Sequence, residues 1–275
     1  MSVAETSLMR ALGQGIEGLG QIWYRLDRPE ISLPCKEAGL AVPAEAYVAA
    51  RVAPMGSTPI EALSSLFGFL PIVLVEGAIR TAREKVDFAV FARQYQDGVS
   101  LFADYCWAER PETSFLAEVL RIAVERADFD GRPLAAACKA VPSPLSIAGQ
   151  LAWAANVLRE HRFAGHVFAV TGAGLSGPAA LVLSQMWGGL SPFGHPLMSF
   201  WEVDPNRIFQ ELAAGGYIEN GLLTKRGIQV QEDIDLLVDA FSASAWKGIS
   251  AREAEHVVAA LGQLSARGEG MPQPV

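Results

Sequence analysis

The stretch that decides the fold lies in the C-terminal third of the chain: DPNRIFQELAAGGYIENGLLTKRGIQVQEDIDLLVDAFSASAW (residues 204–246). Asp204 followed by proline is typical of a helix start, and a glycine pair marks the end of that helix. Two short strands then flank Asn220-Gly221, a dipeptide that favours a tight hairpin turn. Thr224 can cap the long helix that follows. This order of helix, glycine corner, short hairpin and long helix is that of a winged helix.

The sequence before this stretch predicts more helices and very little sheet. Apolar residues at helical spacing predict a helix over residues 3–24 and a long one over residues 88–107. Residues 25–35 are expected to form a loop because they contain two prolines. Two helices are expected to meet near residues 163–165, at a glycine. We therefore expect a mostly α protein, with a multi-helix domain and a C-terminal winged-helix-like element carrying a very short β-hairpin.

A glycine- and proline-rich stretch, GGLSPFGHP at residues 188–196, is the most obvious linker. It predicts a helical ligand-binding or active-site region at residues 1–188. Residues 189–275 then form the winged-helix-like region and the C-terminal helices. The long helix at 225–246 and the helix after it are similar to elements that pair in dimeric winged-helix proteins, so the chain has a candidate surface for a homodimer.

Composition indicates a chain with a sizeable core and no export signal. Hydrophobic residues make up 51% and charged residues 19% of the 275 positions, which excludes wholesale disorder. Cys35, Cys106 and Cys138 are far apart, and we interpret them as reduced thiols. The most apolar stretch, residues 66–79, is interrupted by a proline and a glutamate, which favours a buried helix over a membrane span. We expect a cytoplasmic protein without membrane contact.

Electrostatics weigh against DNA binding by this winged helix. The formal net charge is −8, whereas affinity for DNA comes from lysine and arginine contacts to phosphates. Arg207 is the one cation in the helix expected to enter the major groove, against Asp204 and Glu211. Over residues 201–230, three basic residues face four acidic ones. The charge balance makes DNA a disfavoured partner without excluding it, and it favours a scaffold or dimerisation role.

A cluster of ionisable residues in REHRFAGHV (residues 159–167) is the first candidate for chemistry. Histidine titrates near neutral pH and a nearby carboxylate tunes it, so His166, His161 and Glu160 are the candidate catalytic residues. Arg162 is a candidate substrate ligand. All four converge if the helix breaks at the glycine, whereas on a continuous helix only Arg162 and His166 share a face. The alternative is a helix end where cations complement the dipole and carboxylates pair with arginines.

An arginine in an otherwise apolar helix is the second candidate. Arg51 lies within AYVAARVAP, and Tyr47 lies one turn earlier. A buried arginine needs a carboxylate, either from the protein or from a ligand. Phe67, Phe69 and Trp153 are candidate walls of an apolar substrate pocket, although aromatic residues at helical spacing also serve as ordinary core.

Motifs for metals and cofactors are missing from the sequence. His161 and His166 do not have the i, i+4 spacing of a helical zinc site, and there is no HExxH and no cysteine pair. The sequence has neither GxGxxG after a strand nor GxxxxGK[ST], and TGAGLSG at 171–177 is interpreted as a corner between helices. We therefore predict no cofactor, although a haem with one axial histidine needs no such motif.

Four blocks of the sequence resemble an actinobacterial group of SalK- or EvbL-like winged helix-turn-helix proteins. They are AYVAARVAPMG (46–56), LFGFLP (66–71), LREHRFAGHV (158–167) and AAGGYIENGLLTKRG (213–227). The resemblance covers most of the chain. It implies a helical fold with a winged-helix element and no established reaction, and some members lie near antibiotic biosynthesis genes.

These observations support three hypotheses about function. The first is a small-molecule-binding protein of specialised metabolism that acts on a largely apolar substrate, as a cofactor-independent acid–base isomerase, cyclase, lyase or hydrolase. The second is a ligand-responsive winged-helix transcriptional regulator. The third is a non-catalytic metabolite-binding or resistance protein. Affinity for promoter DNA distinguishes the second from the other two.

Overall fold

The computed structural model describes residues 3–192 and 204–267, and this part of the chain is almost entirely helical. Its α-helices are Val3–Gly20 (α1), Pro29–Glu37 (α2), Pro43–Val52 (α3), Ile60–Ser64 (α4), Ile72–Lys85 (α5), Phe88–Trp107 (α6), Glu112–Arg126 (α7), Pro133–Ala140 (α8), Ile147–Gly172 (α9), Gly177–Trp187 (α10), Pro205–Ala214 (α11), Lys225–Ser242 (α12) and Ala251–Arg267 (α13). The two strands are Ile218–Glu219 (β1) and Leu222–Leu223 (β2). The predicted fold class, mostly α with a very short hairpin, is confirmed.

The winged-helix element forms as its local sequence dictates. Ile218 pairs with Leu223 across the antiparallel hairpin, and its tip, Asn220-Gly221, has positive φ at both residues, as a tight two-residue turn requires. The Thr224 hydroxyl accepts a hydrogen bond from the Gly227 N–H and donates one to the Gly216 carbonyl. Thr224 therefore caps α12 and ties it to the glycine corner.

Two hydrophobic clusters build the interior. The larger cluster gathers side chains from α1 to α9 and from α13. The smaller cluster joins the end of α9 to α10, α11, β1 and α12. Helix α9, which has 26 residues, runs through both clusters and so connects them. The predicted boundary between residues 188 and 189 stays a prediction, and the linker residues from 193 onward lie outside the described part.

The predicted loop at residues 25–35 is wrong, because α2 occupies most of it. Pro29 stands at the first helical position, where its missing N–H is no loss. Pro34 lies inside the helix and leaves the Glu30 carbonyl without its usual helical donor. That carbonyl packs against Gly98 of α6, where a Cβ atom would lie only 2.2 Å from it. The second proline is therefore accommodated by a close approach between two helices.

The predicted helix break at residues 163–165 is also wrong. Helix α9 continues through Gly165, and a Cβ atom there would lie 2.8 Å from the Cβ of Phe241 on α12. The glycine serves the close crossing of two helices and does not end one. A sequence pattern cannot distinguish these uses, because the crossing partner lies far along the chain.

Within the described residues no single helix is long and apolar enough to cross a bilayer. Only α9 and α10 taken together reach that length and composition, and they meet at an angle of 102°.

We predict opposite effects for two glycine-to-alanine substitutions. Gly98→Ala should lower the free energy of unfolding by about 1–3 kcal/mol, because the new methyl group would collide with the Glu30 carbonyl. Gly77→Ala, in the exposed middle of α5 with nothing within 4 Å of the new methyl group, should raise it by about 0.4–1 kcal/mol. Urea denaturation of both variants measures this. Equal effects of the two substitutions would contradict the packing of α2 on α6.

Candidate functional site

Glu160 lies at the centre of a buried ionic cluster on α9. Arg51 of α3 donates from Nη2 to its Oε2 at 2.8 Å and from Nε at 3.2 Å, and both side chains are 1% exposed. Arg159 donates to Oε1 at 2.8 Å and the Tyr24 hydroxyl donates to the same oxygen at 3.1 Å. Burial alone would raise the pKa of Glu160, but the two arginines outweigh burial and hold that pKa below its ordinary value.

The Arg51 guanidinium is enclosed by aromatic rings. It lies 4.7 Å from the ring centre of Phe67, 5.2 Å from that of Phe69 and 4.3 Å from that of Phe163. Tyr47 continues this wall against Phe67. Glu160 thus supplies the carboxylate that a buried arginine needs, and the rings supply favourable contacts with its charge. Its Nη1 atom has no acceptor within the part of the chain that the structure describes.

His161 points away from this cluster. Its Nε2 lies 2.7 Å from the Asp128 carbonyl oxygen, and because a carbonyl only accepts, this nitrogen carries the proton. Its ring contacts Phe129 edge-on. Burial lowers the pKa of His161 to about 4, and the nearby Arg132 guanidinium adds to this effect. His161 is therefore a neutral imidazole that fixes the turn before α8.

Arg162 and His166 form a third group, which faces α12. Arg162 donates to Asp239 at 2.7 Å and to Glu17 of α1 at 3.2 Å. Gly13 makes room for it, because a Cβ atom there would lie 2.6 Å from the guanidinium carbon. Burial lowers the pKa of His166, and the Asp235 carboxylate opposes that effect.

The predicted site residues therefore separate into groups. Arg51 binds Glu160 and lies against the Phe67 and Phe69 rings, and Tyr47 packs against Phe67. His161 faces the Asp128 turn, and Arg162 shares a face with His166. Consecutive residues of an α-helix point about 100° apart, so an unbroken α9 directs Glu160, His161 and Arg162 to different neighbours. Trp153 donates its indole N–H to the Cys138 carbonyl and lines a separate internal cavity of about 10 Å³. The catalytic and substrate-binding roles stay predictions.

The exposed face of α11 is a second candidate surface, which the sequence did not predict as a site. Ile208 and Leu212 are buried in the smaller cluster, so this helix turns Asn206, Arg207 and Gln210 to solvent. These three residues lie in the first two turns, one helical turn or less apart. The sequence carried a signal for this surface, namely polar residues between apolar positions, but a count of charged residues does not detect it.

Comparison with known proteins gives the family. A sequence profile described as a helix-turn-helix family matches residues 9–269. The chain belongs to this helix-turn-helix family. No curated protein and no solved structure matches it. Membership makes DNA a candidate partner, which the charge count had disfavoured.

The acidic residues near α11 in this helix-turn-helix protein oppose DNA binding less than the count of charged residues suggests. Asp204 caps α11 through the Asn206 N–H, and Glu211 accepts hydrogen bonds from the Ser176 N–H and hydroxyl at the start of α10. Both carboxylates thus face the positive ends of helix dipoles. Glu202, one of the four acidic residues counted, lies outside the described residues.

The winged-helix element carries three cations, one on α11 and two at the start of α12. They are exposed, and no carboxylate in the described ranges forms an ion pair with any of them: Arg207, Lys225 and Arg226. Arg226 also lies over the Tyr217 ring, 5.2 Å from its centre. Such unpaired cations can contact phosphates.

We predict that His161 makes the fold sensitive to acid. Its pKa is about 4 in the folded chain against an ordinary 6.5, so between these values the unfolded chain binds a proton that the folded chain does not. Stability should therefore fall as the pH decreases through this window, by about 2 kcal/mol between pH 7 and pH 5. His161→Gln keeps an N–H donor for the Asp128 carbonyl and cannot titrate. Urea denaturation at pH 7 and pH 5 should show a smaller decrease in the free energy of unfolding for this variant than for the parent. An equal decrease in both proteins would contradict a buried, neutral His161.

Proposed function

We propose that this chain is a ligand-responsive winged-helix transcriptional regulator that reads DNA with α11. The observation that carries the proposal is the exposed row of Asn206, Arg207 and Gln210 on a helix of a helix-turn-helix protein. In such proteins the N-terminal residues of the recognition helix contact base edges in the major groove.

The residue types suit direct base readout. Arginine forms paired hydrogen bonds with guanine, and asparagine or glutamine form them with adenine. Ala213 and Ala214 continue the same exposed face, and their small side chains permit close approach to the groove. The wing carries Asn220 at its tip and no cation in β1 or β2, so its share of the phosphate contacts is small.

We infer that the regulator is a homodimer joined through α12. This helix exposes Leu236, Leu237 and Phe241, and Phe168 of α9 extends the patch, with its ring 5.8 Å from that of Phe241. Leu237 and Phe168 are each 49% exposed, which is unusual for two large apolar side chains in one patch. A second copy would cover this patch and would present two α11 helices to two half-sites.

The acid–base enzyme hypothesis has weaker support. Arg51, Arg159 and Tyr24 occupy the Glu160 oxygens, and His161 is a buried donor to a backbone carbonyl. Within the helix-turn-helix family, the SalK- or EvbL-like group of actinobacteria remains our proposal for the subgroup. A cytoplasmic regulator of specialised metabolism agrees with that placement and with the predicted absence of a cofactor.

We predict that α11 substitutions weaken specific DNA binding. A duplex selected from a randomised pool should bind Arg207→Gln about ten- to hundred-fold more weakly than the parent, because one paired base contact is lost. Asn206→Ala and Gln210→Ala should relax sequence preference at single positions. Arg80→Gln, an exposed arginine on α5, is the matched control and should change nothing. Fluorescence anisotropy measures these affinities.

The salt dependence provides a second criterion in the same experiment. Lys225 and Arg226 of both chains give about four phosphate contacts in a dimer, so affinity should fall about 10²-fold between 50 and 200 mM salt. Absence of any enriched sequence, or equal binding by the parent and all three α11 variants, would contradict the proposed function.

A further inference from the structure

A cavity of about 180 Å³ lies between α7, α13 and the short turn Ala243–Trp246 that follows α12. None of the candidate site residues described above lines it. Its inner walls are apolar side chains, which are wholly or half buried: Phe115, Val119, Ile122, Trp246, Ile249 and Val257. Its rim is polar and exposed, and consists of Arg126, Glu253 and His256.

The rim carries one arginine without a direct partner in the described part of the chain, although its charge also acts on the Glu253 carboxylate: hydrogen bonds from Ser250 lower the pKa of Glu253, and Arg126 adds to that effect. Among the described residues, no hydrogen-bond or ion-pair partner meets the Arg126 guanidinium. Glu253 is committed elsewhere, because it accepts hydrogen bonds from the Ser250 hydroxyl at 2.6 Å and the Ser250 N–H at 2.9 Å, as the cap of α13. The His256 ring stacks on Phe115 with 4.4 Å between ring centres.

We propose that this cavity binds a small aromatic or branched aliphatic carboxylate. The apolar body would fill the inner walls and the carboxylate would pair with Arg126 at the rim. The size is suitable for one ring, because a cavity of about 150 Å³ is known to admit benzene. An anion is favoured because Arg126 has no direct hydrogen-bond partner among the described residues, and an uncharged molecule of the same shape would gain no ion pair from it.

The cavity also touches the turn that follows α12, at the opposite end of that helix from the wing. Ala245 and Trp246, in its wall, belong to the turn that continues α12, and α12 carries the wing and the apolar patch. Occupation of the cavity would therefore favour one placement of α12. This link to DNA binding rests on the proposed function, whereas the binding site itself does not.

Calorimetric titration of the full chain with phenylacetate tests the site. We expect one molecule bound per chain with a Kd of about 1 mM or lower. Phenylacetamide, which has the same shape without the charge, and acetate, which has the charge without the ring, should each bind at least about ten-fold more weakly. No heat of binding with phenylacetate up to about 10 mM would overturn the proposal.

Three variants locate the binding. Arg126→Gln should abolish the preference for phenylacetate over phenylacetamide, and Ile122→Trp should fill the cavity and remove binding of both. Arg121→Gln is the matched control, because Arg121 lies on the same helix and pairs with Glu118 and Glu125. Thermal unfolding shows whether each variant is folded. Binding that survives both Arg126→Gln and Ile122→Trp in folded protein would overturn the site.

The outcomes separate the site from its proposed coupling. If phenylacetate binds and the affinity for selected DNA changes, both inferences are supported. If phenylacetate binds but the chain selects no DNA sequence, the proposed function fails and the site stands. If both ligands bind without affecting each other, the coupling through α12 is overturned.

Discussion

The ion pair between Arg162 and Asp239 is the interaction on which the arrangement of this protein depends. Asp239 lies on α12, the helix that carries the wing, and its side chain is fully buried. Arg162 lies in the middle of α9 and also reaches Glu17 on α1. Arg10 of α1 also donates to Asp239, at 3.3 Å, so the pair belongs to an ionic network that joins α1, α9 and α12. Because α11 and α12 share the smaller hydrophobic cluster, this pair also helps to place α11 relative to the larger cluster.

Three successive residues of α9 connect this helix to three other parts of the fold. Glu160 binds α3 through Arg51, His161 holds the Asp128 turn and Arg162 binds α12. Because α9 passes through both hydrophobic clusters, these polar contacts specify its rotation at the place where the clusters meet. The REHRFAGHV block therefore joins three parts of the fold, and the DNA contact that we propose lies elsewhere, on α11.

Local sequence predicted much of the fold, because local residues determine it. Asp204, Asn220-Gly221 and Thr224 each act on neighbours a few positions away, so the winged helix was recognisable. Gly165 predicted a helix break and Pro34 predicted a loop, but both lie inside helices. The sequence could not show this, because the residues they pack against, Phe241 and Gly98, are distant along the chain. For the candidate site, Arg51 was expected to need a carboxylate, but only the packing of α3 on α9 shows that Glu160 provides it. The sequence did not predict the cavity beside Arg126, because its walls come from three separate segments.

Hydroxyl-radical footprinting on a duplex selected by the protein tests the central claim most directly, namely that two α11 helices of a dimer read DNA. The account predicts two protected stretches related by two-fold symmetry, with centres about 10 base pairs or a multiple apart. Leu237→Asp, in the α12 patch, should remove that paired pattern. Leu101→Asp is the matched control, because Leu101 is an exposed leucine on α6, outside the patch, and this variant should retain the pattern. A single unsymmetrical footprint, a footprint unchanged by Leu237→Asp, or no protection at all would contradict the claim.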